Sequence, residues 1–268
     1  MEFKNYLAKT AREIEKEIEK ILKGWRDEVK NTSPKLVPLL DLFIESCRGG
    51  KRIRGVLIKL GYELVRGKGK EILKVSAAYE IFHAAILAHD DIIDKSPTRR
   101  GQQSLYKSIG SSQAITLGDL GFFLATKIIS ESKFEDKKKN EALALFSKTM
   151  VETAIGQMLD IAREDPELVA KLKTAKYTIA APLQIGAILA GVDEELVRVL
   201  GEFGENAGIA FQIQDDILDR EVESMDEANS KALDYAAKAK KVIPGLTNDP
   251  NLGKLLEQMC EYLVERSK

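Results

Sequence analysis

The sequence predicts an all-α protein, a helical bundle built on long apolar helices. Apolar side chains recur at helical spacing through most of the 268 residues, whereas β-branched alternation bounded by hairpin signals is rare. Several helices are apolar around most of their circumference, which predicts an inner layer wrapped by other helices. We expect one domain over residues 1–268 and, because so much apolar surface is present, a dimer.

The composition narrows the functional classes. With 41 basic and 42 acidic residues, the chain has no excess of positive charge that would favour binding to nucleic acid. Cys47 and Cys260 are too few for a disulfide framework and fit a reducing cytoplasm. The first residues lack the apolar core of a signal peptide, and the most apolar stretch, Tyr177 to Gly191, is too short to span a bilayer. We therefore expect a cytoplasmic protein that does not cross a membrane.

Helix signals follow one another along the chain. An amphipathic helix is predicted over residues 1–30, and Lys95–Gly110 is predicted to be a polar loop with a short helical piece. Asp165, Pro166 and Glu167 form a strong helix start, with Asp as the cap and Pro in the first turn. The other predicted helices are Val37–Cys47, Lys51–Val65, Glu71–Asp94, Gln113–Ser130, Glu141–Ile161, Asp193–Asp219, Glu221–Val242 and Leu252–Arg266.

Two copies of an Asp-Asp-x-x-Asp motif each close an apolar helix. On a helix, the first and last acids of the motif lie one turn apart and project the same way. Buried carboxylates need cations, and hard oxygens in this pattern suit Mg²⁺, which also takes water and phosphate oxygens. Two solvated helix ends are the alternative interpretation. The motif acids are Asp90, Asp91, Asp94, Asp215, Asp216 and Asp219.

A second set of residues is basic. In the segment Gly49–Arg54, Lys51 and Arg54 are predicted one turn apart at a helix start, where backbone N–H groups favour anions. Taken alone, this segment is equally typical of a solvated basic turn, and the pair Arg99-Arg100 is often only a surface pair.

His83 is weighed separately. It lies nearly two helical turns before Asp90 and therefore shares the face of the acids. A lone His on an apolar helix is usually a core residue, and His89 is assigned that structural role.

Together these motifs resemble those of the trans-isoprenyl diphosphate synthases, the polyprenyl synthetase family. The pieces occur in the family's order over positions 49 to 219, which makes the resemblance specific. Besides the acidic and basic motifs, the matching pieces are Gly118-Asp119, Gln157 with Asp160, Lys173-Thr174 and Phe211–Asp219. The resemblance implies a single isoprenoid synthase domain with central apolar helices around a deep cavity, and prenyltransferase activity.

The resemblance also implies roles for individual residues. Several Mg²⁺ ions would bridge an allylic diphosphate. Asp90, Asp94 and Asp215 would bind these ions directly, and Asp91, Asp216 and Asp219 would assist. The residues expected to contact the allylic diphosphate are Arg99 and Lys173. Those expected to hold isopentenyl diphosphate are Lys51, Arg54, His83 and Arg100. Oxygens directed at the allylic cation would come from Thr174, Gln212 and Tyr177, although Thr174 and Gln212 are equally interpreted as buried polar residues with backbone partners.

Product length is predicted from residues upstream of Asp90, which would line a tunnel below the diphosphate. In the family, large aromatic residues just before the first motif form its floor. Here the nearby residues are Ala85 and Ile86, and the next bulky candidate is Phe82. We therefore predict a product of geranylgeranyl length or somewhat longer.

The chain departs from the family pattern in two places. After Asp219 the family has a flexible segment with lysines that hold the diphosphate, whereas this chain continues directly into Arg220–Asp226. The segment between Asp160 and Lys173 is also short. Two interpretations stay open: the chain lacks these loops, or the printed sequence omits loops of the kind that are mobile without ligand.

Three functions are compatible with these features. A Mg²⁺-dependent prenyltransferase that joins isopentenyl diphosphate to an allylic diphosphate is favoured, because all six motif acids are intact. A non-catalytic or partner-dependent subunit of a heteromeric synthase is favoured only by the missing lysines. A class I terpene cyclase fits less well, because such cyclases usually carry an Asn/Ser/Glu-type second motif.

Overall fold

The structure is a computed structural model that describes residues 2–220, 222 and 224–265. Within them the chain is all-α, as predicted, apart from an antiparallel hairpin of β1 (Thr98–Arg99) and β2 (Gln102–Gln103). The α-helices are α1 (Phe3–Thr32), α2 (Val37–Ser46), α3 (Ile53–Leu64), α4 (Ile72–Ile93), α5 (Leu105–Ile109), α6 (Ser111–Ser130), α7 (Asp136–Ala162), α8 (Pro166–Val169), α9 (Ala181–Ala190), α10 (Glu194–Asp219), α11 (Met225–Val242) and α12 (Pro250–Glu265). A π-helical segment, Ala170–Ala180, joins α8 to α9.

Most helix ends lie close to their predicted positions. The start at Asp165 is confirmed, since its carboxylate accepts a hydrogen bond from the backbone N–H of Leu168 at 3.0 Å. The hairpin was not predicted, because strands of two residues are too short to show alternation. The predicted helix start at Glu221 and the predicted end at Arg266 lie outside the described residues. Among the helices described, none is long and apolar enough to cross a membrane.

Helix α7 begins at Asp136, five residues before the predicted start at Glu141. The lysines of the first turn pair with acids at the helix start: Lys138 lies 3.6 Å from Glu135, and Lys139 lies 2.9 Å from Asp136. Acids at this end also complement the helix dipole. This charged turn is therefore helical although it carries no apolar pattern.

Two clusters of buried apolar side chains form the core, and α4 contributes to both. One cluster includes Phe43 and joins α4 to α1, α3, α10 and α12, among others. The other lies between α4, α6, α7 and α9. On α4, Ala77 and Ile81 belong to the first cluster, and Tyr79 and Phe82 belong to the second. Helix α4 is thus packed on opposite faces, as predicted for an inner layer.

Helices α3 and α9 approach so closely that both carry glycine at the contact. A Cβ atom on Gly61 of α3 would collide with the backbone of Leu183, and one on Gly186 of α9 would collide with the carbonyl of Ile58. The obstructing atoms are backbone, so the helices themselves would have to separate to admit a methyl group. This contact fixes α9, which directly follows the π-helical segment.

We expect Gly186→Ala to lower the free energy of unfolding by about 3 kcal/mol or more, at the upper end of overpacking costs. Gly24→Ala is the matched control, because an added methyl group there, in an exposed part of α1, meets no atom within 4 Å. That change should stabilise the protein by about 0.5–1 kcal/mol. Urea denaturation measures both. A Gly186→Ala variant as stable as the parent would contradict the α3–α9 contact.

Candidate functional site

The first acidic motif lies at the C-terminal end of α4. Asp90 and Asp91 are in the last turn and Asp94 is the C-cap, with no basic residue in that turn. The carboxylates therefore add to the negative end of the helix dipole instead of offsetting it. Burial raises the pKa of Asp90; the Lys173 ammonium opposes this shift, and the Asp94 carboxylate adds to it. This end of α4 is consequently a place where a cation would be stabilising.

Asp91 is buried and already paired with Arg99. The guanidinium donates two hydrogen bonds to one carboxylate oxygen of Asp91, the one from Nε at 2.8 Å. Arg99 is held in place by the hairpin, which turns through Arg100 and Gly101 with φ of 53° and 76°. Positive φ at both positions is what a two-residue type I′ turn requires. In this structure Arg99 thus neutralises the buried acid of the motif, while Asp90 and Asp94 remain more accessible.

Arg100 lies over the glycine turn that precedes α3. Its NH1 donates to the backbone carbonyl of Arg48 at 2.7 Å, and a Cβ atom on Gly50 would lie 2.9 Å from its guanidinium. Burial and the neighbouring Arg52 lower the pKa of Arg100, which reflects crowding of cations. Arg99 and Arg100 also line a cavity of about 600 Å³ beside α4.

The basic segment before α3 differs from its predicted form. Arg52 adopts a left-handed backbone conformation, with φ of 52° and ψ of 32°, and its side chain is buried. Its guanidinium donates to the Glu15 carboxylate and to the backbone carbonyl of Cys47, both at 2.6 Å. Helix α3 therefore begins after Arg52, and the prediction that Lys51 lies one helical turn from Arg54 is wrong. Lys51 is exposed instead.

Lys51 lines a groove between the N-terminal end of α1 and α12, together with Phe3 and Tyr262. The side chain of Lys51 is therefore separated from that of Arg54. Arg54 points toward the π-helical segment. Of the four residues predicted to hold isopentenyl diphosphate, Arg54, His83 and Arg100 lie close enough to interact electrostatically.

Glu80 connects the basic segment to α4 and was not predicted. It is buried, its carboxylate accepts a hydrogen bond from the backbone N–H of Gly55 at 2.8 Å, and it lies 3.8 Å from the Arg52 guanidinium. Gly55 is the third residue of α3, so this bond satisfies an N–H that no helical carbonyl can reach. The signal in the sequence was a lone acid inside an apolar run, because such acids are rarely buried unless paired.

Arg54 meets the π-helical segment through two contacts. Its NH2 donates to the Thr178 hydroxyl at 2.8 Å, and its guanidinium carbon lies 4.5 Å from the centre of the Tyr177 ring, within cation–π range. Its Nε is buried without a hydrogen-bond partner among the described residues. A buried donor left unpaired is unfavourable, so an acceptor that reached this nitrogen would stabilise the site.

His83 contacts the same tyrosine from α4. Its Nδ1 lies 3.1 Å from the Tyr177 hydroxyl oxygen. Burial, followed by the nearby Arg54 and Arg100, holds the pKa of His83 well below its usual range, so the ring is neutral at neutral pH. His89 packs on α6 instead, with Nε2 3.1 Å from a backbone carbonyl oxygen.

Lys173 and Thr174 lie in the π-helical segment, a conformation that is rare and often found at functional sites. Glycines on both neighbouring helices accommodate its wide turns. A Cβ atom on Gly156 of α7 would lie 2.7 Å from the backbone nitrogen of Lys173, and one on Gly208 of α10 would lie 2.5 Å from Ala175. The segment is thus held between α7 and α10 by backbone contact.

The Lys173 ammonium connects α7 with the first acidic motif. It lies 2.6 Å from the Asp160 carboxylate of α7 and acts electrostatically on Asp90. The position of Lys173 is therefore compatible with the prediction that it contacts the diphosphate held by Asp90. Thr174, the next residue, is half-buried.

The second acidic motif closes α10 as the first closes α4. Asp215 and Asp216 are half-buried, Asp219 is exposed, and again no basic residue lies in the last turn. Gln212, predicted to face the allylic cation, donates its amide hydrogen to Asp216 at 2.6 Å. In this structure Gln212 therefore supports the motif itself.

The acids fit Mg²⁺ although they are not assembled into one cluster. Among the described residues, no three His, Cys, Asp or Glu side chains come together as a metal-binding group. Mg²⁺ needs only one or two carboxylates and completes its shell with water and phosphate oxygens. The raised pKa of Asp90 beside Asp94 marks negative charge that a cation would relieve. Asp90 and Asp94 from α4, and Asp215 and Asp219 from α10, are the residues with suitable oxygens.

The three residues predicted to set product length lie in two environments. The Phe82 ring is 4.7 Å from that of Phe122 and 4.8 Å from that of Phe146, between centroids, and Ile86 packs on the same cluster. Ala85 is fully buried in the other cluster, against a glycine of α6. Its small size permits the close contact between α4 and α6, and its role in product length stays a prediction.

Comparison with known proteins places the chain in a family. It matches the family model described as Polyprenyl synthetase over residues 38–241. It is 37% identical over 177 residues to the short chain isoprenyl diphosphate synthase of Methanocaldococcus jannaschii, covering 64% of this chain and 54% of that protein. It is 32% identical over 216 residues to the geranylgeranyl diphosphate synthase of Methanosarcina mazei, covering 72% and 66%. The chain thus spans 54% to 66% of these curated relatives.

Solved structures share the fold. A geranylgeranyl pyrophosphate synthetase from Pyrococcus horikoshii superposes with a TM-score of 0.83 at 22% identity, over 99% of both chains. A FPP/GFPP synthase from Zymomonas mobilis superposes with a TM-score of 0.86 at 22% identity, over 98% of both. Because the family model covers most of the chain and the helical fold agrees, this chain belongs to the polyprenyl synthetase family.

Proposed function

We propose that this chain is a Mg²⁺-dependent trans-prenyltransferase that condenses isopentenyl diphosphate with an allylic diphosphate. The observation that carries the proposal is the combination of two Asp-Asp-x-x-Asp motifs, each at the negative end of an apolar helix, with crowded guanidinium groups nearby. Relatives named as short chain isoprenyl and geranylgeranyl diphosphate synthases support it.

The allylic diphosphate would bind between the two acidic motifs through Mg²⁺. Asp90, Asp94 and Asp215 would supply metal ligands, with Asp216 and Asp219 assisting through water. Lys173 would contact the diphosphate directly, because its ammonium already interacts with Asp90. Arg99 would either stay paired with Asp91 or leave it to pair with the diphosphate, since the Arg99 guanidinium is only partly buried.

Isopentenyl diphosphate would bind beside His83. Arg54 offers a buried Nε without a partner among the described residues, and Arg100 adds a second guanidinium. Lys51 would join this set only if the segment before α3 moved, because its side chain now lines the groove beside α12.

The reaction would proceed by ionisation, condensation and elimination. When bound, Mg²⁺ would neutralise the charge that develops on the leaving diphosphate. The allylic C–O bond breaks with both electrons going to the diphosphate, and Lys173 stabilises that charge. The double bond of isopentenyl diphosphate then forms a C–C bond with the allylic cation. The released diphosphate accepts a proton from the new cation, and the electrons of that C–H bond restore a double bond. Correct placement of the two substrates supplies ~7–11 kcal/mol of the barrier reduction.

With Mg²⁺ and labelled isopentenyl diphosphate, the purified protein should elongate at least one of dimethylallyl, geranyl and farnesyl diphosphate. Asp90→Asn and Asp215→Asn should each reduce the rate at least about 100-fold, because each removes electrostatic support for the leaving group. Asp136→Asn is the control, since that carboxylate is 91% exposed at the start of α7. Incorporation of label into prenyl diphosphate is the measurement.

The same assay separates the alternatives. Failure to elongate any of the three allylic substrates would refute the proposal. Activity that requires a second, different chain would favour the partner-dependent subunit. Release of hydrocarbon from an allylic diphosphate alone would favour a cyclase.

We infer a product of geranylgeranyl length or somewhat longer. Phe82 precedes Asp90 by eight residues, about 12 Å along the helix axis. Together with Phe122 and Phe146 it forms an aromatic floor between α4, α6 and α7, and Ile86 lies one turn above it. Relatives named for geranylgeranyl diphosphate synthesis support this length.

Phe82→Ala should lengthen the product because it removes the floor, and Ile86→Phe should shorten it because it places a ring one turn nearer the diphosphate. Phe3→Ala is the control, since Phe3 is buried in the other cluster beside Tyr262. Chromatography of dephosphorylated products measures chain length. An unchanged product from both Phe82→Ala and Ile86→Phe would contradict the floor.

We also propose a homodimer formed through α6 and α7. Apolar side chains project from these helices into solvent: Phe123 is 76% exposed, Val151 61% and Met158 68%. Large apolar side chains exposed on two neighbouring helices are typical of an interface.

The double variant Phe123→Asp, Met158→Asp should sediment as a monomer, because it places charges in the proposed interface. Leu233→Asp is the matched control, since Leu233 is 59% exposed on α11, a helix that packs on α10 and α12. Sedimentation velocity distinguishes the two states. A monomeric parent protein would argue against the dimer.

We further propose that residues 1–268 form one isoprenoid synthase domain that functions in the cytoplasm. Helices α1 and α12 contribute to the same core cluster as α4, and Cys47 and Cys260 are buried free thiols. A single cooperative unfolding transition would support the first statement, and fractionation of source cells would test the second.

A further inference from the structure

Tyr177 lies where the π-helical segment meets α3 and α4. Its ring stacks on Tyr79, with centroids 5.6 Å apart and planes at 22°, and the Arg54 guanidinium lies 4.5 Å from its centre. Its hydroxyl lies 3.1 Å from Nδ1 of His83. Tyr79 and His83 are one turn apart on α4, so a single tyrosine contacts both and its ring is fixed between them and Arg54.

The direction of the hydrogen bond between Tyr177 and His83 depends on which imidazole nitrogen carries the proton. Burial raises the pKa of Tyr177, so the phenol keeps its proton. In the part of the chain that the structure describes, this hydroxyl has no other hydrogen-bond partner, and a buried donor requires an acceptor. A hydroxyl that donates to Nδ1 of His83 satisfies this requirement, and it needs that nitrogen to be unprotonated. Because the imidazole is held neutral, its single proton is then on Nε2.

Charged groups from three parts of the chain act on this pair. Those that act on His83 or Tyr177 are Arg52, which precedes α3, Arg54 from α3, Arg99 and Arg100 from the hairpin, and Glu80 and Asp90 from α4. The arginines supply positive charge for an anion without any contribution from His83. A neutral imidazole adds an N–H donor at this position without the repulsion that an imidazolium would meet.

We propose that Tyr177 is a positioning residue that fixes His83 in the neutral Nε2–H tautomer and so directs an N–H donor at the diphosphate of isopentenyl diphosphate. Nε2 makes no hydrogen bond to the described residues, so it is available to a ligand. The identity of the ligand rests on the proposed function, whereas the tautomer rests on the contacts of Tyr177 alone. The family resemblance implies a different role, in which the oxygen of Tyr177 faces the allylic cation.

The tautomer can be measured directly, because the chain contains only two histidines. Full-length protein labelled with ¹⁵N-histidine gives one pair of ring nitrogens for each residue, and a protonated nitrogen has a shift distinct from an unprotonated one. His89→Gln assigns the two pairs. Without ligand at neutral pH, His83 should show a protonated Nε2 and an unprotonated Nδ1.

Tyr177→Phe should keep the ring stacking and the Arg54 contact while removing only the hydroxyl. The His83 nitrogens should then shift toward a mixture of tautomers. KM for isopentenyl diphosphate should rise about two- to tenfold, the range expected for one hydrogen bond, with kcat and KM for the allylic substrate little changed. Tyr79→Phe is the matched control, because it removes a phenol from the same stack whose hydroxyl donates to the carbonyl of Tyr177 and not to His83.

The outcomes separate this inference from the proposed function. A parent spectrum with His83 protonated on Nδ1, or on both nitrogens, would overturn the inference, as would an identical spectrum for Tyr177→Phe. This parent spectrum decides the tautomer even if the variant does not fold. The expected spectra with unchanged KM values would remove the binding role. The expected spectra from a protein that elongates no substrate would refute the proposed function and leave the tautomer assignment standing.

Discussion

The structure depends on negative charge concentrated at the C-terminal ends of two apolar helices. Helices α4 and α10 each end in three carboxylates without a basic residue in the last turn, the reverse of the arrangement that stabilises an isolated helix. Burial and the neighbouring Asp94 both disfavour ionised Asp90. Arginine from the hairpin and lysine from the π-helical segment relieve part of this charge, and a metal-bound anion would relieve more. The surrounding cationic side chains are thus needed to offset the negative charge of the acids.

The cationic side of the site depends on a buried network that binds no ligand itself. Arg52 is held by Glu15, Glu80 and the carbonyl of Cys47, and it takes a left-handed backbone conformation to reach them. Glu80 also bonds the N-terminal end of α3. Together they fix α3 against α4, which brings Arg54 to the tyrosine that contacts His83. A buried charge of this kind is destabilising unless every partner is present.

The fold and the acids were predictable because they follow from periodicity and spacing along the chain. Apolar residues at helical spacing predicted α4 and α10, and the repeated motif predicted their acidic ends. Tertiary partners were not predictable in the same way. The sequence cannot show that Arg52 leaves the helix to pair with Glu15, 37 residues away, or that Ala85 faces the glycines of α6. The π-helical turn at Lys173 depends on Gly156 and on α10, neither of which a local pattern connects to it.

Helix α4 combines three demands on its faces, and this limits how its residues can vary. One face carries Glu80 and His83 toward the cationic segment, a second packs its small side chains on α6, and a third presents Phe82 to the aromatic cluster. The proposed floor lies on the third face, whereas Ala85, although nearer to the acids, is fully buried against Gly121 of α6. The residue proposed to limit product length is therefore not the one closest to the motif, since the closer position, Ala85, is used for packing.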